Sequence, residues 1–356
     1  MKKIHRREWI KNTVTASLAM PAILRAASTK PKIKIGQIGT KHSHAEGKME
    51  AIRKLSDDYE MIGVVEPDLQ QRHRVKNRDA YKGLRWLSEE ALLNTPGLQV
   101  VAVETEVEEL VPVGKRMLNA GMHIHLDKPG GESFSAFQDL LEISNQTKRI
   151  VQMGYMLRYN PAFEFMFQAV REGWLGEIME IDAMMGKLAS ETLRKELGRF
   201  VGGGMFELAG HVIDSIVYMM GKPTRVTPYT RRTGTDGVAD NQMAVLEYPK
   251  ATAVIRCNHR DPFGFPRRRF QISGDKGFVE IKPIESGQIT LGLTEKRAAF
   301  KKGIHQFTLN RMGGRYDGEF TDLAKVIRGE KAFAWSTKHD LDTHESILRA
   351  AEMPVL

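Results

Sequence analysis

The chain has 356 residues, 41% apolar and 27% charged, the balance of an ordinary globular protein with room for two cores. No apolar run approaches the ~18 residues a membrane span needs. The single cysteine, Cys257, excludes an intrachain disulfide and cysteine-rich metal sites. The net charge of +9 does not point to nucleic acid, because no basic stripe is interleaved with aromatics.

Much of that charge sits at the start. Residues 1–27 hold six Lys/Arg and one Glu, so five of the nine net positive charges lie there. Lys2, Lys3, Arg6 and Arg7 come first, then a mildly apolar stretch from Val14 to Leu24, then Ala26, Ala27 and Ser28. That order is a secretory signal. Arg6-Arg7-Glu8-Trp9-Ile10-Lys11 resembles the twin-arginine motif, which implies export of a folded protein to the periplasm by the Tat machinery.

From Lys32 the pattern alternates short apolar strands with helical stretches. Strands are predicted at 33–38, 61–65, 100–103, 123–126 and 150–153, and helices at 44–55, 108–120 and 134–146. Alternation of this kind predicts a parallel doubly wound α/β sheet over 32–154. After Tyr155 the character changes. Helices are predicted at 161–172 and 205–220, with strand-like runs at 178–185, 243–248, 252–258, 269–273, 278–282 and 289–293. Strands close in sequence predict a mostly antiparallel open sheet, hence an α+β domain over 155–356. Two late helices, 318–328 and 339–350, close the chain, and the late segment is a candidate for packing back on the first domain.

The loop after the first strand reads Gly39-Thr40-Lys41-His42-Ser43-His44. This is where a dinucleotide fold keeps its glycine turn and offers helix N-terminal amides to a pyrophosphate. Gly39 fits the first glycine, Lys41 replaces the second, and His44 holds the third position. His42 and His44 are either helix-start polar residues or ligand contacts. No third metal ligand is near in sequence, so no metal is expected. Glu66 ends the second strand, where an acid accepts hydrogen bonds from an adenosine ribose and favours NAD over NADP. Arg72 and Arg74 follow it.

Asp127-Lys128-Pro129 ends the strand at 123–126, and two glycines follow. Ligands of open α/β sheets lie just beyond that edge, so Lys128 is a candidate catalytic lysine. The second cluster is Gly202-Gly203-Gly204-Met205-Phe206-Glu207-Leu208-Ala209-Gly210-His211-Val212-Ile213-Asp214. On one continuous helix, Glu207 and His211 share a face, with Asp214 nearby. A carboxylate beside a histidine suits general acid–base chemistry.

Taken in order, the Gly39 loop, Asp127-Lys128-Pro129, Arg158-Tyr159-Asn160-Pro161 and GGGMFELAGHVID resemble the Gfo/Idh/MocA oxidoreductase family. The resemblance covers essentially the whole chain after residue 31, and SGDKGFVEI from Ser273 looks like the family's second-domain sheet. Three positions depart from its pattern: Lys41 for a glycine, Asp127 for a glutamate, and Glu207 for an aspartate. The resemblance implies tightly held NAD contacted by Gly39, Thr40, Lys41, His42, Glu66, Asp127 and Lys128. It implies a sugar or polyol substrate contacted by Lys128, Arg158, Asn160, His211 and Asp214. Trp174, Tyr155 and His259 are further candidate sugar contacts. Lys128 would stabilise the reacting hydroxyl, His211 would take its proton, and Glu207 would orient the imidazole or relay the proton. The alternatives are a glycosidase that recycles its NAD and a non-catalytic sugar-binding protein. Homodimers or tetramers joined through the second-domain sheet are also implied.

Overall fold

The computed structural model describes residues 2–3, 30–310 and 313–355. Apart from the backbone of Lys2–Lys3, the expected export segment lies outside the described residues. Among the described residues no helix is long and apolar enough to cross a membrane.

The first sheet has five parallel strands in the order β2(Tyr59–Val65), β1(Ile33–Ile38), β3(Leu98–Val103), β4(His123–Leu126), β5(Val151–Met153). Val100 to Val103 are fully buried, because helices cover both faces of the sheet. Those helices are α1(Ala45–Lys54), α2(Leu69–Val75), α3(Glu89–Leu93), α4(Val107–Asn119) and α5(Phe134–Thr147). The chain leaves β1 in one direction across the sheet and β3 in the other, which opens a crevice at the strands' carboxyl ends. Gly39, Glu66, Glu104, Asp127 and Gly154 each follow the last residue of a strand, so all five stand at that crevice.

The second part begins with a short turn of helix at Met156–Tyr159 and α6(Pro161–Arg171). Its sheet contains β6(Ile178–Gly186), β7(Arg225–Arg231), β8(Asn241–Glu247), β9(Thr252–Asn258), β10(Arg269–Gly274), β11(Gly277–Ile281), β12(Gln288–Leu293) and β13(Gly303–Thr308). In space they run β13-β12-β11-β10-β6-β9-β8-β7, with Lys2–Lys3 alongside β13. All neighbours are antiparallel except β6 with β9 and Lys2–Lys3 with β13. Burial alternates residue by residue along β8, β9 and β10, so one face meets the core and the other stays half-open. Helices α7(Glu191–Leu197), α8(Gly203–Glu207) and α9(Gly210–Met220) connect the sheet to the crevice.

Two strands, β7 and β13, carry no sequence signal. Arg225–Arg231 includes Pro228 and alternates polar residues, which an edge strand tolerates. The predicted helix at 205–220 is broken: α8 ends at Glu207 and α9 starts at Gly210.

The last two helices, α10(Asp317–Ile327) and α11(Thr337–Ala350), return to the first domain. The Tyr59 hydroxyl donates to the Phe320 carbonyl at 2.7 Å, and Lys48 on α1 is buried in an ion pair with Glu319. On α11, the His344 ring lies 4.6 Å from that of Phe137 on α5.

Arg158 ties three of these segments together. Its guanidinium meets Asp214 on α9 at 2.7 and 3.0 Å and Asp340 on α11 at 2.5 Å, and stacks 4.3 Å from the Trp335 ring. Burial works against the Asp214 carboxylate, but Arg158 and His339 outweigh it and hold its pKa below the usual range. All three charges are sealed from solvent. The resemblance had assigned Arg158 and Asp214 to substrate; the fold spends them on each other, since a buried charge must be paired. Asn160, the third such residue, is buried and caps α6 by accepting the Ala162 N–H at 2.9 Å. Trp174 is likewise removed from any substrate, packed edge-on between Phe165 and Phe300 in the core.

Two predictions follow from this packing. Arg158→Ala leaves Asp340 without its ion pair and Asp214 with only His339, and should cost about 3–5 kcal/mol in denaturant unfolding. Retention of dinucleotide by the fraction that folds should be unchanged. His344 is pulled down to about 3 by burial. Between that value and about 6.5 only the unfolded chain takes up its proton, so stability falls as pH drops through that window. His344→Leu should therefore gain on the parent protein as melts move from pH 7 to pH 5. An unchanged gap between the two would refute this.

Candidate active site

The crevice holds two adjoining cavities. The first, of about 690 Å³, is bounded by Gly39, Glu66, Arg72, Trp86, Thr105 and Arg116. The second, of about 220 Å³, lies between the domains and is bounded by His42, Glu106, Lys128, Lys187, Arg199 and Glu207.

The first cavity has the features a dinucleotide needs. Gly39 has φ +87°, and a Cβ there would lie 2.7 Å from the backbone of Glu104 and Thr105. Only glycine allows the loop to turn that tightly. The Glu66 carboxylate accepts from Thr40 N at 2.9 Å, Thr40 Oγ1 at 2.7 Å and Asp68 N at 3.0 Å. Thr40 thereby anchors the loop to the second strand. One lone pair of Glu66 stays free, and the residue borders the cavity. Lys41, in place of a loop glycine, bonds Asp68 at 3.1 Å and Glu106 at 3.2 Å. Its chain lies along the loop and its charge is already met. Arg199, from the second domain, reaches the same Glu106 at 3.0 Å and Glu108 at 2.6 Å.

In the second cavity the Lys128 ammonium donates to the Glu207 carbonyl at 2.5 Å and to Glu207 Oε1 at 3.3 Å. A continuous helix would give that carbonyl to the His211 N–H; the break after Glu207 frees it for the lysine. Glu207 Oε2 lies 3.7 Å from Lys187 Nζ and 3.9 Å from His259 Nε2. Burial opposes ionisation of Glu207, but Lys128, His259 and Lys187 outweigh it and hold its pKa well below the usual range. Gly204 admits His259, whose ring nitrogen is 2.2 Å from where a Cβ would stand.

The break also overturns the expected pairing of Glu207 with His211. The carboxylate serves Lys128, Lys187 and His259, while the His211 ring packs edge-on against Tyr155 at 6.1 Å and its buried Nδ1 has no hydrogen-bond partner. Burial first, and then the charge of Lys128, drive the His211 pKa well down, so its imidazole is neutral. Lys187 is absent from the sequence reading. As a lone lysine after a strand it carries no pattern; only the fold brings it to Glu207.

Asp127 is fully buried beneath Lys128. It accepts the Lys128 backbone N–H at 2.7 Å, and its Oδ2 is 3.1 Å from His44 Nδ1 and 3.2 Å from His42 Nδ1. Burial would raise its pKa; His42, His44 and Lys48 outweigh that and lower it. Burial lowers His44 to about 4. Glu104, which the sequence reading passed over, stands beside this group. Its side chain is fully buried, and burial followed by the Asp127 charge raises its pKa well above the usual range.

The comparisons agree with this architecture. Residues 33–155 match the model described as the oxidoreductase family, NAD-binding Rossmann fold, and residues 163–280 match the GFO/IDH/MocA C-terminal domain. The uncharacterized oxidoreductase YhhX of Escherichia coli is 24% identical over 211 residues, 58% of this chain and 60% of that protein. The trans-1,2-dihydrobenzene-1,2-diol dehydrogenase of Bos taurus is 24% identical over 195 residues, 54% of this chain and 57% of its own. The chain thus spans less than two thirds of the length of these curated relatives. Aldose-aldose oxidoreductase from Caulobacter crescentus shares the fold with a TM-score of 0.75 at 18% identity, over 90% of this chain and 98% of that one. With consecutive models of one family matched to its two domains, the chain belongs to the Gfo/Idh/MocA oxidoreductase family.

Proposed function

We propose that this protein is an NAD-dependent oxidoreductase acting on a hydroxyl of a sugar or polyol. The observation that carries the reading is the Lys128 ammonium, fixed at a strand end by Glu207 in the cavity between the two domains. NAD, when bound, supplies the hydride acceptor. Gly39, Thr40, Glu66 and the amides of the loop would hold it, with Lys41, His42, Asp127 and Lys128 at the end nearer the substrate. A preference for NAD over NADP rests on the buried acid at Glu66.

Lys128 donates to the reacting oxygen and stabilises negative charge as it develops there. Glu207 holds that lysine in place. His211, held neutral by burial, is the base that accepts the hydroxyl proton. Lys187 and Glu207 border the same space and offer a donor and an acceptor to neighbouring hydroxyls. A substrate rich in hydroxyl groups fits such a lining. The relatives' names include a diol dehydrogenase and an aldose-aldose oxidoreductase, which supports that class.

The twin-arginine-like segment at Arg6-Arg7 supports export to the periplasm through the Tat machinery. It also favours a second reading. Free nicotinamide nucleotide is scarce outside the cytoplasm, so an exported enzyme keeps its NAD bound and returns it to its starting state. A glycosidase working by oxidation, elimination, hydration and reduction does this. The half-open face of the second sheet supports a homo-oligomer joined there.

Protein purified without added nucleotide should release NAD(H) on denaturation, identified by mass. A panel of sugars and aryl glycosides followed at 340 nm then separates the readings. Net reduction by one free sugar supports the dehydrogenase; glycoside cleavage with no net change supports the recycling hydrolase. Absence of bound dinucleotide, with none taken up when supplied, would sink both. Lys128→Met should lower turnover ~10²–10⁴-fold while dinucleotide is retained. His211→Gln should do the same and remove the acid limb of the pH profile.

A further inference from the structure

Beneath Lys128 lies a group of side chains that the proposed reaction does not use fully. His42 Nδ1, His44 Nδ1 and Asp127 Oδ2 converge, with Asp127 Oδ2 3.2 Å from the first nitrogen and 3.1 Å from the second. Glu104 Oε2 stands 3.8 Å from His42 Nδ1. Four ligand atoms on a tetrahedral zinc ion lie about 3.4 Å apart, given bonds of about 2.1 Å. The two separations from Asp127 come within a few tenths of an ångström of that spacing, and the ligand atoms of His42, His44 and Asp127 all lie within 4.8 Å of one another, with Glu104 at the edge of the group.

Two independent observations point to a cation there. Glu104 is fully buried, and apart from the neighbouring Asp127 carboxyl neither of its oxygens meets a hydrogen-bond partner. An unmet buried carboxylate is costly, and a metal ion satisfies it directly. The second observation is the orientation of His42. Its Nε2 lies 3.1 Å from the Lys128 carbonyl. A carbonyl can only accept, so Nε2 carries the proton and Nδ1 offers a lone pair toward the carboxylates. The His44 backbone N–H also points at Nδ1, at 3.2 Å, which agrees with an unprotonated nitrogen and is the contact a metal would displace. Histidine ligands of metals characteristically donate their second nitrogen to a backbone carbonyl in this way.

The surrounding charges leave room for a dication. Lys48, a buried ammonium beside Asp127 and Glu104, is paired with Glu319, and Lys128 with Glu207. His125 Nε2 is 3.9 Å from Glu104 Oε1 and 3.5 Å from Glu319 Oε2, and has no hydrogen-bond partner. Asp127 thus holds a negative charge against two imidazoles, with Glu104 a second acid beside them.

We propose that His42, His44 and Asp127, with Glu104 beside them, form a structural binding site for a zinc-class divalent cation that locks the cofactor loop to the Asp127-Lys128 strand end. Two imidazoles and a carboxylate, with a second acid at hand, are a donor set of that class. The two histidines lie 83 and 85 positions from Asp127 in the chain, so the sequence expectation of no metal, made for want of a nearby third ligand, is revised by the fold. A bound ion would fix the backbone on which Lys128 stands, without touching substrate. The proposal is independent of the substrate and of the direction of the reaction.

The test uses the intact protein, purified untagged and without chelator. Elemental analysis should find about one zinc per chain. After removal of metal, titration with Co²⁺ alone should produce visible d–d bands of a tetrahedral site, displaced by Zn²⁺. Glu104→Gln and His44→Gln should weaken Co²⁺ binding at least ~10-fold, with unchanged circular dichroism. Should either variant fail to fold, the wild-type stoichiometry and cobalt spectrum decide. Substoichiometric zinc with no cobalt bands overturns the proposal. So does a folded variant of both histidines that keeps the same bands, since the ion would then sit elsewhere.

Discussion

The active cleft depends on one constraint: carboxylates buried at the ends of parallel strands must be met by positive or donating groups. Asp127 is the clearest case. Out of reach of water, it takes the Lys128 N–H and draws in His42 and His44. That single side chain therefore sets the start of the lysine's path and the position of the cofactor loop. Glu66 acts similarly through Thr40, and Glu104 brings a further acid to the same edge. Five strands ending together create the crevice, and the acids at three of those ends give it its chemistry.

The second domain answers from the opposite side. Its helix breaks at Leu208-Ala209, and the broken end offers Lys128 both a carbonyl and a carboxylate from one residue. A lysine with both contacts loses its freedom and is held at one place in the cleft. Arg199 crosses from the second domain to Glu106 and Glu108, beside the loop that Lys41 also braces. These outer ion pairs are half-exposed and contribute little energy singly. Their geometry nonetheless joins the two walls of the cleft near its mouth. Deeper in, Arg158 with Asp214 and Asp340 joins three segments of the second part, and removing one partner would leave a buried charge unmet.

The sequence showed most of the first domain, for a physical reason. Strands buried on both faces read as uninterrupted apolar runs, and whatever follows them must lie at the crevice. Gly39, Glu66 and Lys128 were legible on that ground alone. Long-range pairing was not. Arg158 and Asp214 are 56 residues apart, and nothing local distinguishes an arginine that binds substrate from one that braces a core. The helix break was hidden because residues 205–220 are apolar with helical spacing throughout, and the carbonyl that gains from the break belongs to a contact 79 residues away. The edge strand β7 failed to show because a strand paired on one side only needs little apolar patterning.

The same reasoning bears on the replacement of the loop glycine by Lys41 and on the histidines that follow it. A glycine at that position lets a pyrophosphate approach the backbone; a lysine there must go somewhere. Here it lies outward along the loop, neutralised by Asp68 and Glu106, and the approach past Gly39 stays open. The loop consequently loses conformational freedom that glycine would have left it, and His42 and His44 turn inward onto Asp127. A glycine-poor loop is stiffer, and it is held at three points: Thr40 on Glu66, Lys41 on Glu106, and the two histidines on Asp127. A cofactor bound over a loop pinned in this manner pays little to order it.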